Sequence, residues 1–214
     1  GAKALHYLKL SAEAGNANAF VRIGELYRDG VAVEADQKKA FEAFEKAAVA
    51  GISSAKLKLG EAYVRGLGVA PDVDRGMALI SEASAEENFV ASAALGGHLM
   101  SGIYTERRPE QAVRYLQQAG EGGNGSALYR LGIMYRDGDG VVSDPRKTID
   151  YFQRAAASNV AAAQVDLAQS HALRKFGALS DPDAGLADLR RFAEDGDEAA
   201  AVSLALMTYW GSGG

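Results

Sequence analysis

The stretch LGEAYVRGLGVAPDVDRG at residues 59–76 decides the fold, because its skeleton recurs along the chain. It returns as IGELYRDGVAVEADQKKA at residues 23–40 and as LGIMYRDGDGVVSDPRKT at residues 131–148. Each copy begins with an apolar residue before a glycine, and these glycines keep a step of 36 residues: Gly24, Gly60, Gly96 and Gly132. A fixed period of this size is typical of proteins that stack one small structural unit on the next.

Within one period the apolar spacing predicts two amphipathic helices. Ala40, Phe44 and Ala47 fall at i, i+4 and i+7, and Ala55, Leu59 and Ala62 repeat the rule further on. This spacing places apolar side chains on one helical face. We expect the small residues at Ala47 and Gly60, and their equivalents, to let the two helices of a pair approach closely.

Recurrent capping residues predict where the helices begin and end. An aspartate can accept a hydrogen bond from a free backbone N–H of a first turn, and proline suits the next position. We expect Ser53 to cap a second helix in the same way. Glycine and asparagine adopt the left-handed backbone that follows a helix. The predicted start residues are Asp36, Asp72, Asp144 and Asp181, with Pro109, Pro145 and Pro182 just inside a helix, and the predicted stop residues are Gly15, Gly51, Gly123 and Asn159.

The sequence therefore predicts an all-α, right-handed α/α superhelical solenoid of about six helix-turn-helix repeats. We place one solenoid over residues 1–214, with one residue inserted near Ser180 and repeats at approximately 4–39, 40–75, 76–111, 112–147, 148–184 and 185–214. Repeat arrays normally end in polar caps, and TYWGSGG at residues 208–214 does not resemble one. We expect the chain to be part of a longer protein and Trp210 to belong to the core of a further repeat.

The segments at 40–72 (AFEAFEKAAVAGISSAKLKLGEAYVRGLGVAPD) and 112–145 carry a pattern that resembles the Sel-1-like repeat, a relative of the tetratricopeptide repeat. The resemblance covers essentially all 214 residues. It implies an α-solenoid that holds other proteins, often in bacterial envelope assembly, polysaccharide export, signalling or host contact. Periplasm or cell envelope is favoured over cytoplasm. The pattern is interrupted by Glu87 at a turn-glycine position, by IYTERRP at 103–109 and by HALRKFGALSDPD at 171–183.

Composition and motif searches argue against several kinds of partner and site. A net charge of −5 gives no basic surface for nucleic acid, and no apolar run is long enough for direct membrane insertion. Cysteine is absent, and the three histidines, His6, His98 and His171, lie in different repeats. The DGDGVVSD run at 137–144 lacks the remaining ligands of a calcium loop. We expect neither a metal nor another cofactor.

The sequence SSAK at 53–56 matches the S-x-x-K pattern of penicillin-recognising enzymes. The companion S-D-N and K-T-G motifs are absent from the chain. We therefore predict a non-catalytic protein. A penicillin-interacting hydrolase that uses Ser53 and Lys56 is the alternative from another class.

The solvent-facing columns of the first helices form the predicted binding surface. One column contains Tyr7, Ala43, Leu79, Tyr115 and Tyr151, and its neighbours include Arg114, Gln118, Asp150 and Arg154. Tyrosine buries a large area at low entropic cost, which suits protein recognition. Two roles for the tyrosines stay open, packing between repeats and contact with a partner. A carbohydrate-binding face on Tyr115 and Tyr151 and self-association through an open solenoid end are further alternatives. We predict protein-binding residues at Tyr7, Arg114, Tyr115, Gln118, Asp150, Tyr151 and Arg154.

Overall fold

The computed structural model describes residues 2–31 and 33–209, and Trp210 lies outside them. The described part is helical throughout, without a β-strand. It forms two compact units that divide between Arg107 and Arg108. The first unit contains α1 (Ala2–Glu13), α2 (Asn18–Asp29), α3 (Gln37–Val49), α4 (Ser53–Arg65), α5 (Val73–Ala85) and α6 (Phe89–Ser101). The second unit contains α7 (Pro109–Glu121), α8 (Gly125–Asp137), α9 (Pro145–Ala157), α10 (Ala161–Ala172), the 3₁₀ helix Gly177–Leu179, α11 (Pro182–Glu194) and α12 (Glu198–Tyr209).

These helices form the predicted pairs and confirm the all-α repeat class. The first helices of the pairs are α1, α3 and α5 in one unit and α7, α9 and α11 in the other. The second helices are α2, α4 and α6, and α8, α10 and α12. Each unit therefore has three helix pairs, and the described chain has six.

The predicted caps of the first helices are confirmed. The carboxylates of Asp36, Asp72, Asp144 and Asp181 each accept a hydrogen bond from a backbone N–H two or three residues further on. The predicted stop residues have positive φ angles, from 61° at Asn159 to 92° at Gly15. Glu87 has φ 59° at the same position, so a side chain is held there in a conformation that glycine adopts more cheaply.

The expectation that Ser53 caps a second helix is wrong. Ile52 is the N-cap residue of α4 and offers no side-chain acceptor, while Ser53 already lies inside the helix. The Ser53 hydroxyl lies 3.4 Å from the Ala83 carbonyl oxygen, to which it donates. Asparagines cap the second helices α6 and α8 one residue earlier than expected, since Asn88 Oδ1 accepts from Ala91 N and Asn124 Oδ1 accepts from Ala127 N.

The sequence suggested that Gly60 and its equivalents lie between the two helices of one pair, and the structure shows that this is wrong. A Cβ atom on Gly24 would lie 2.4 Å from the Phe44 ring, and one on Gly132 would lie 2.3 Å from the Phe152 ring. In both cases a second helix meets the first helix of the following repeat. Contact within a pair uses alanines instead, since Ala47 of α3 and Ala55 of α4 share one buried cluster.

The G-x-G sequences after α4 and α8 are tight turns against the start of the preceding first helix. Gly68 and Gly140 have φ near 70°, and their Cα atoms lie so close to backbone that a Cβ would clash. The clashing groups are the Gln37 carbonyl at 2.1 Å and the Pro109 carbonyl carbon at 2.5 Å. Left-handed backbone and close approach together explain these glycines.

The divergent segment at residues 171–183 folds back on its own repeat. Phe176 is buried and meets the His171 ring edge to face, with 5.1 Å between the ring centroids. His171 Nδ1 accepts a hydrogen bond from the backbone N–H of Asp181, the cap of α11. His171 therefore fixes the path of the longer loop.

Candidate protein-binding surface

A groove in the first unit lies between α1 and α3, with α2 as its floor. We call it the first-helix groove. Its volume is about 490 Å³. It is lined by Lys9, Ala12 and Glu13 of α1, by Phe20, Ile23 and Tyr27 of α2, and by Lys39, Glu42, Ala43 and Lys46 of α3.

The floor of the first-helix groove is an apolar stripe with a cation near each end. Phe20, Ile23 and Tyr27 stand at i, i+3 and i+7 and so share one helical face. Lys46 Nζ lies 5.6 Å from the centroid of the Phe20 ring, and Lys39 Nζ lies 5.4 Å from that of Tyr27. Both lysines are exposed, so their ammonium groups remain accessible at the rim.

The cation over a tyrosine is a recurring element of the fold. Arg75 lies over the Tyr63 ring at 4.4 Å, and Lys147 lies over the Tyr135 ring at 4.7 Å. In each case the cation follows the tyrosine by 12 residues, as Lys39 follows Tyr27. Sequence reasoning missed this pairing, although the constant spacing was available as a signal.

In the second unit the structure brings three of the predicted residues together on α9. The Tyr151 ring stacks on Tyr135 of α8, with centroids 5.4 Å apart and planes inclined by 16°. The Arg154 guanidinium lies 5.5 Å from the Tyr151 ring and 3.4 Å from Asp150 Oδ2. Tyr151 therefore contributes to packing between repeats and keeps a partly exposed edge.

The other predicted residues lie on two more first helices. On α7, Arg114 is exposed, while Tyr115 and Gln118 are partly buried. On α1, Tyr7 is 67% exposed. Their contact with a partner stays a prediction.

One column position explains why the first unit has an open groove. Ala43 of α3 occupies the position that Tyr151 occupies in α9, three periods later. The alanine is buried and small, and Tyr27 keeps an uncovered surface beside it. In α9 the Tyr151 ring covers Tyr135 instead. The small residue leaves space in the first unit that the tyrosine fills in the second.

Ser53 and Lys56 do not form a nucleophile and its base. Lys56 is buried, and its ammonium group donates to the carboxylates of Glu82 and Glu86. These hydrogen bonds, that to Glu82 foremost, raise the pKa of Lys56 above its ordinary value. A lysine held in its protonated form cannot accept the serine proton. The geometry accordingly gives no support to the hydrolase alternative.

Within each unit, polar side-chain pairs connect a second helix to the second helix of the next repeat. Lys58 of α4 lies 3.0 Å from Glu25 of α2, and His98 Nε2 of α6 lies 3.0 Å from Glu61 Oε1 of α4. Burial of the Glu61 carboxyl opposes its ionisation, but His98 and Arg65 outweigh burial and hold its pKa below the ordinary value. These pairs link successive repeats.

Tyr129 of α8 makes the corresponding link in the second unit. Its hydroxyl donates to Asp166 Oδ2 of α10 over 2.9 Å. Burial, together with this hydrogen bond to a carboxylate, raises the pKa of Tyr129 to about 12. The pair is a structural link, since the phenol stays protonated across the physiological range.

Residues 2–31 and 33–209 contain no cluster of three histidine, aspartate or glutamate side chains that could hold a metal ion. Among the helices described, none has the length and apolar character needed to cross a membrane.

The family model described as Sel1 repeat matches residues 1–16, 19–51, 53–88, 90–124 and 125–160. A Sel1 repeat protein from Oxalobacter formigenes is similar in structure, with a TM-score of 0.80 and 26% identity over 95% of this chain and 89% of that one. A protective antigen present in uropathogenic Escherichia coli strains, displaying an SLR fold, gives a TM-score of 0.81 and 25% identity. The match covers 98% of this chain but 44% of the antigen.

An immunity protein from Pseudomonas aeruginosa gives a TM-score of 0.55 and 19% identity, over 93% of this chain and 74% of that one. This likeness is one of fold alone. No curated protein sequence matches the chain.

Proposed function

This chain belongs to the Sel1 repeat family, and from that premise we propose that it is a non-catalytic scaffold that binds a partner protein through its first helices. The first-helix groove is the observation that carries the proposal. It offers an apolar floor and charged rims on helices whose positions are fixed by packing. A surface that is already ordered loses little conformational entropy on binding, so more of the contact energy is available as affinity.

The proposed contacts are Tyr7 in the first unit and Arg114, Tyr115, Gln118, Asp150, Tyr151 and Arg154 in the second. Tyr7 supports this assignment by its exposure, because a tyrosine left in solvent is free to bury its ring against a partner. Arg154 and Asp150 are exposed as well and provide hydrogen-bonding groups of both charges beside Tyr151.

We further propose that the scaffold works at a bacterial cell envelope, in assembly, polysaccharide export or signalling. The similarity to a protein described as a protective antigen of uropathogenic Escherichia coli supports that setting. This chain spans 44% of that antigen.

Site-specific photo-crosslinking tests the scaffold function. A photoreactive phenylalanine analogue is placed at the exposed Glu42 in the first-helix groove, at Tyr115 on α7 or, as a control, at the exposed Ser126 on α8. The three variants are expressed in the organism that makes the protein and irradiated. The proposal expects a discrete protein adduct from Glu42 or Tyr115 that is weak or absent from Ser126. Equal adducts from all three positions, or none from both Glu42 and Tyr115, would refute binding through the first helices.

A further inference from the structure

We infer that the first-helix groove selects an acidic segment of its partner, one that places carboxylates on either side of an apolar side chain. The inference rests on the proposed scaffold function and adds the chemistry of the ligand. The groove carries three lysines, Lys9, Lys39 and Lys46, against two lining glutamates, Glu13 and Glu42. A cationic groove stands out on a chain whose net charge is −5.

Two of these lysines have no acidic partner of their own. Lys39 lies 2.8 Å from Asp36, but no carboxylate of the described residues lies within ion-pairing distance of Lys9 or Lys46. Both side chains are exposed, on opposite rims of the groove. A carboxylate of a ligand could therefore pair with either of them without displacing an internal ion pair.

The neighbouring repeat shows that this charge pattern is not imposed by the fold. A second groove lies between α3 and α5, with α4 as its floor. One period after Lys9 and Lys46 it has Glu45 and Glu82, so both cationic positions carry the opposite charge. Its own lysine, Lys56, is already bound to two carboxylates. Its other cation, Arg75, is the counterpart of Lys39 and lies over the Tyr63 ring. The two positions that carry unpaired lysines in the first groove are therefore acidic in the second.

The floor determines how such a ligand would lie. Phe20 and Tyr27 are seven residues apart, which corresponds to about 10 Å along a helix. Each has an ammonium group over its ring. The space between the two cations is apolar, with Ile23 at its centre and Ala12 and Ala43 at its sides. One carboxylate of an extended segment would pair with Lys46 beside Phe20 and a second with Lys9 on the opposite rim, and an apolar side chain between them would cover Ile23.

Selection from a displayed library of random 12-residue peptides tests the inference. The full chain is compared with Lys9→Gln/Lys46→Gln and with the matched control Lys3→Gln/Lys38→Gln, which removes one lysine from each of the same two helices outside the groove. A further variant, Ala12→Trp, fills the groove with a bulky side chain. Circular dichroism melts establish that each variant is folded.

We expect the full chain and the control to enrich acidic peptides with a central apolar residue, and Ala12→Trp to abolish their binding. The Lys9→Gln/Lys46→Gln variant should bind the same peptides roughly tenfold more weakly, because two exposed ion pairs are lost. Their affinity for the full chain should fall as salt is added.

Enriched peptides that Ala12→Trp blocks but that are neutral or basic would overturn the inference and leave the scaffold function standing. Failure to enrich any groove-dependent peptide would overturn it too. Alginate tests an anionic polysaccharide as the alternative ligand. Lysine-dependent binding of alginate without acidic peptides would show that the groove takes a carbohydrate.

Discussion

Replacing Gly132 with alanine should destabilise the second unit, although alanine is the better helix former. The new Cβ would lie 2.3 and 2.5 Å from two carbons of the Phe152 ring, and ordinary carbon contacts are about 3.5–4.0 Å. Phe152 is fully buried, so the ring cannot swing into solvent. Forcing an extra carbon into a packed core costs about 1–3 kcal/mol, and the helix propensity of alanine returns about 1 kcal/mol. We expect a net loss of up to about 2 kcal/mol in the free energy of unfolding.

The chain itself contains the compensating pair. In the next repeat the equivalent positions hold Ala168, 36 residues after Gly132, and Leu189, 37 residues after Phe152 because of the residue inserted near Ser180. Both are buried in one cluster. Phe152→Leu alone should cost about 1–2 kcal/mol through lost contacts. In the double variant Gly132→Ala/Phe152→Leu the new methyl group occupies part of the space left by the ring. We expect its loss to be at least about 1 kcal/mol smaller than the sum of the two single losses.

Urea unfolding followed by far-ultraviolet circular dichroism, on the original chain and the three variants, measures all four free energies. Additive effects would mean that Gly132 and Phe152 do not share the close contact described above. A gain in stability from Gly132→Ala alone would refute the overpacking argument outright, because only helix propensity would then be acting.

Two further substitutions test the turn and the polar links. Glu87→Gly should raise the free energy of unfolding by about 1 kcal/mol, because a φ of 59° strains any residue that carries a side chain. A urea midpoint at or below that of the original chain would contradict this reasoning. Asp183→Gly, at an exposed helical position, is the contrasting variant and should lose stability. Glu61 has a pKa below its ordinary value of 4.5 in the folded chain, so its contribution to stability is complete above about pH 4.5 and is lost as pH falls through the folded pKa. Glu61→Gln should therefore flatten the acid side of the stability profile, measured as urea midpoints between about pH 3 and pH 6, whereas an unchanged slope would show that the Glu61–His98 pair does not contribute.

The helices and first-helix caps could be predicted because their signals are local. Asp36 and Gly51 each act on backbone within one turn of themselves, so spacing alone identifies them. The N-cap of α4 was misassigned because Ser53 carries a hydroxyl that can cap a helix but lies one residue after the N-cap position. The correct N-cap position could have been identified from Asn88 and Asn124, which stand one period apart in the column of Ile52.

The groove could not be predicted because its residues come from three helices. Lys46 and Glu42 stand in the columns of Arg154 and Asp150 on the first helices, whereas Phe20 and Tyr27 belong to a second helix. Whether those rings are covered depends on a residue of the next repeat, Ala43, and its size matters more than its polarity. The role of the glycines was misjudged for a related reason. Spacing shows that Gly24 recurs but not that its neighbour is Phe44 of the following repeat.

The joint between Gly24 and Phe44 has a consequence for how such chains can grow. Gly24, Gly60 and Gly132 each meet a bulky residue 20 positions later, so residues 40–75 contribute Phe44 to one such contact and Gly60 to the next. A tandem duplication of residues 40–75 would place Gly60 against a second copy of Phe44, which reproduces the glycine and phenylalanine contact already present at Gly24. Gene duplication in steps of one period therefore lengthens the array without requiring a newly invented interface.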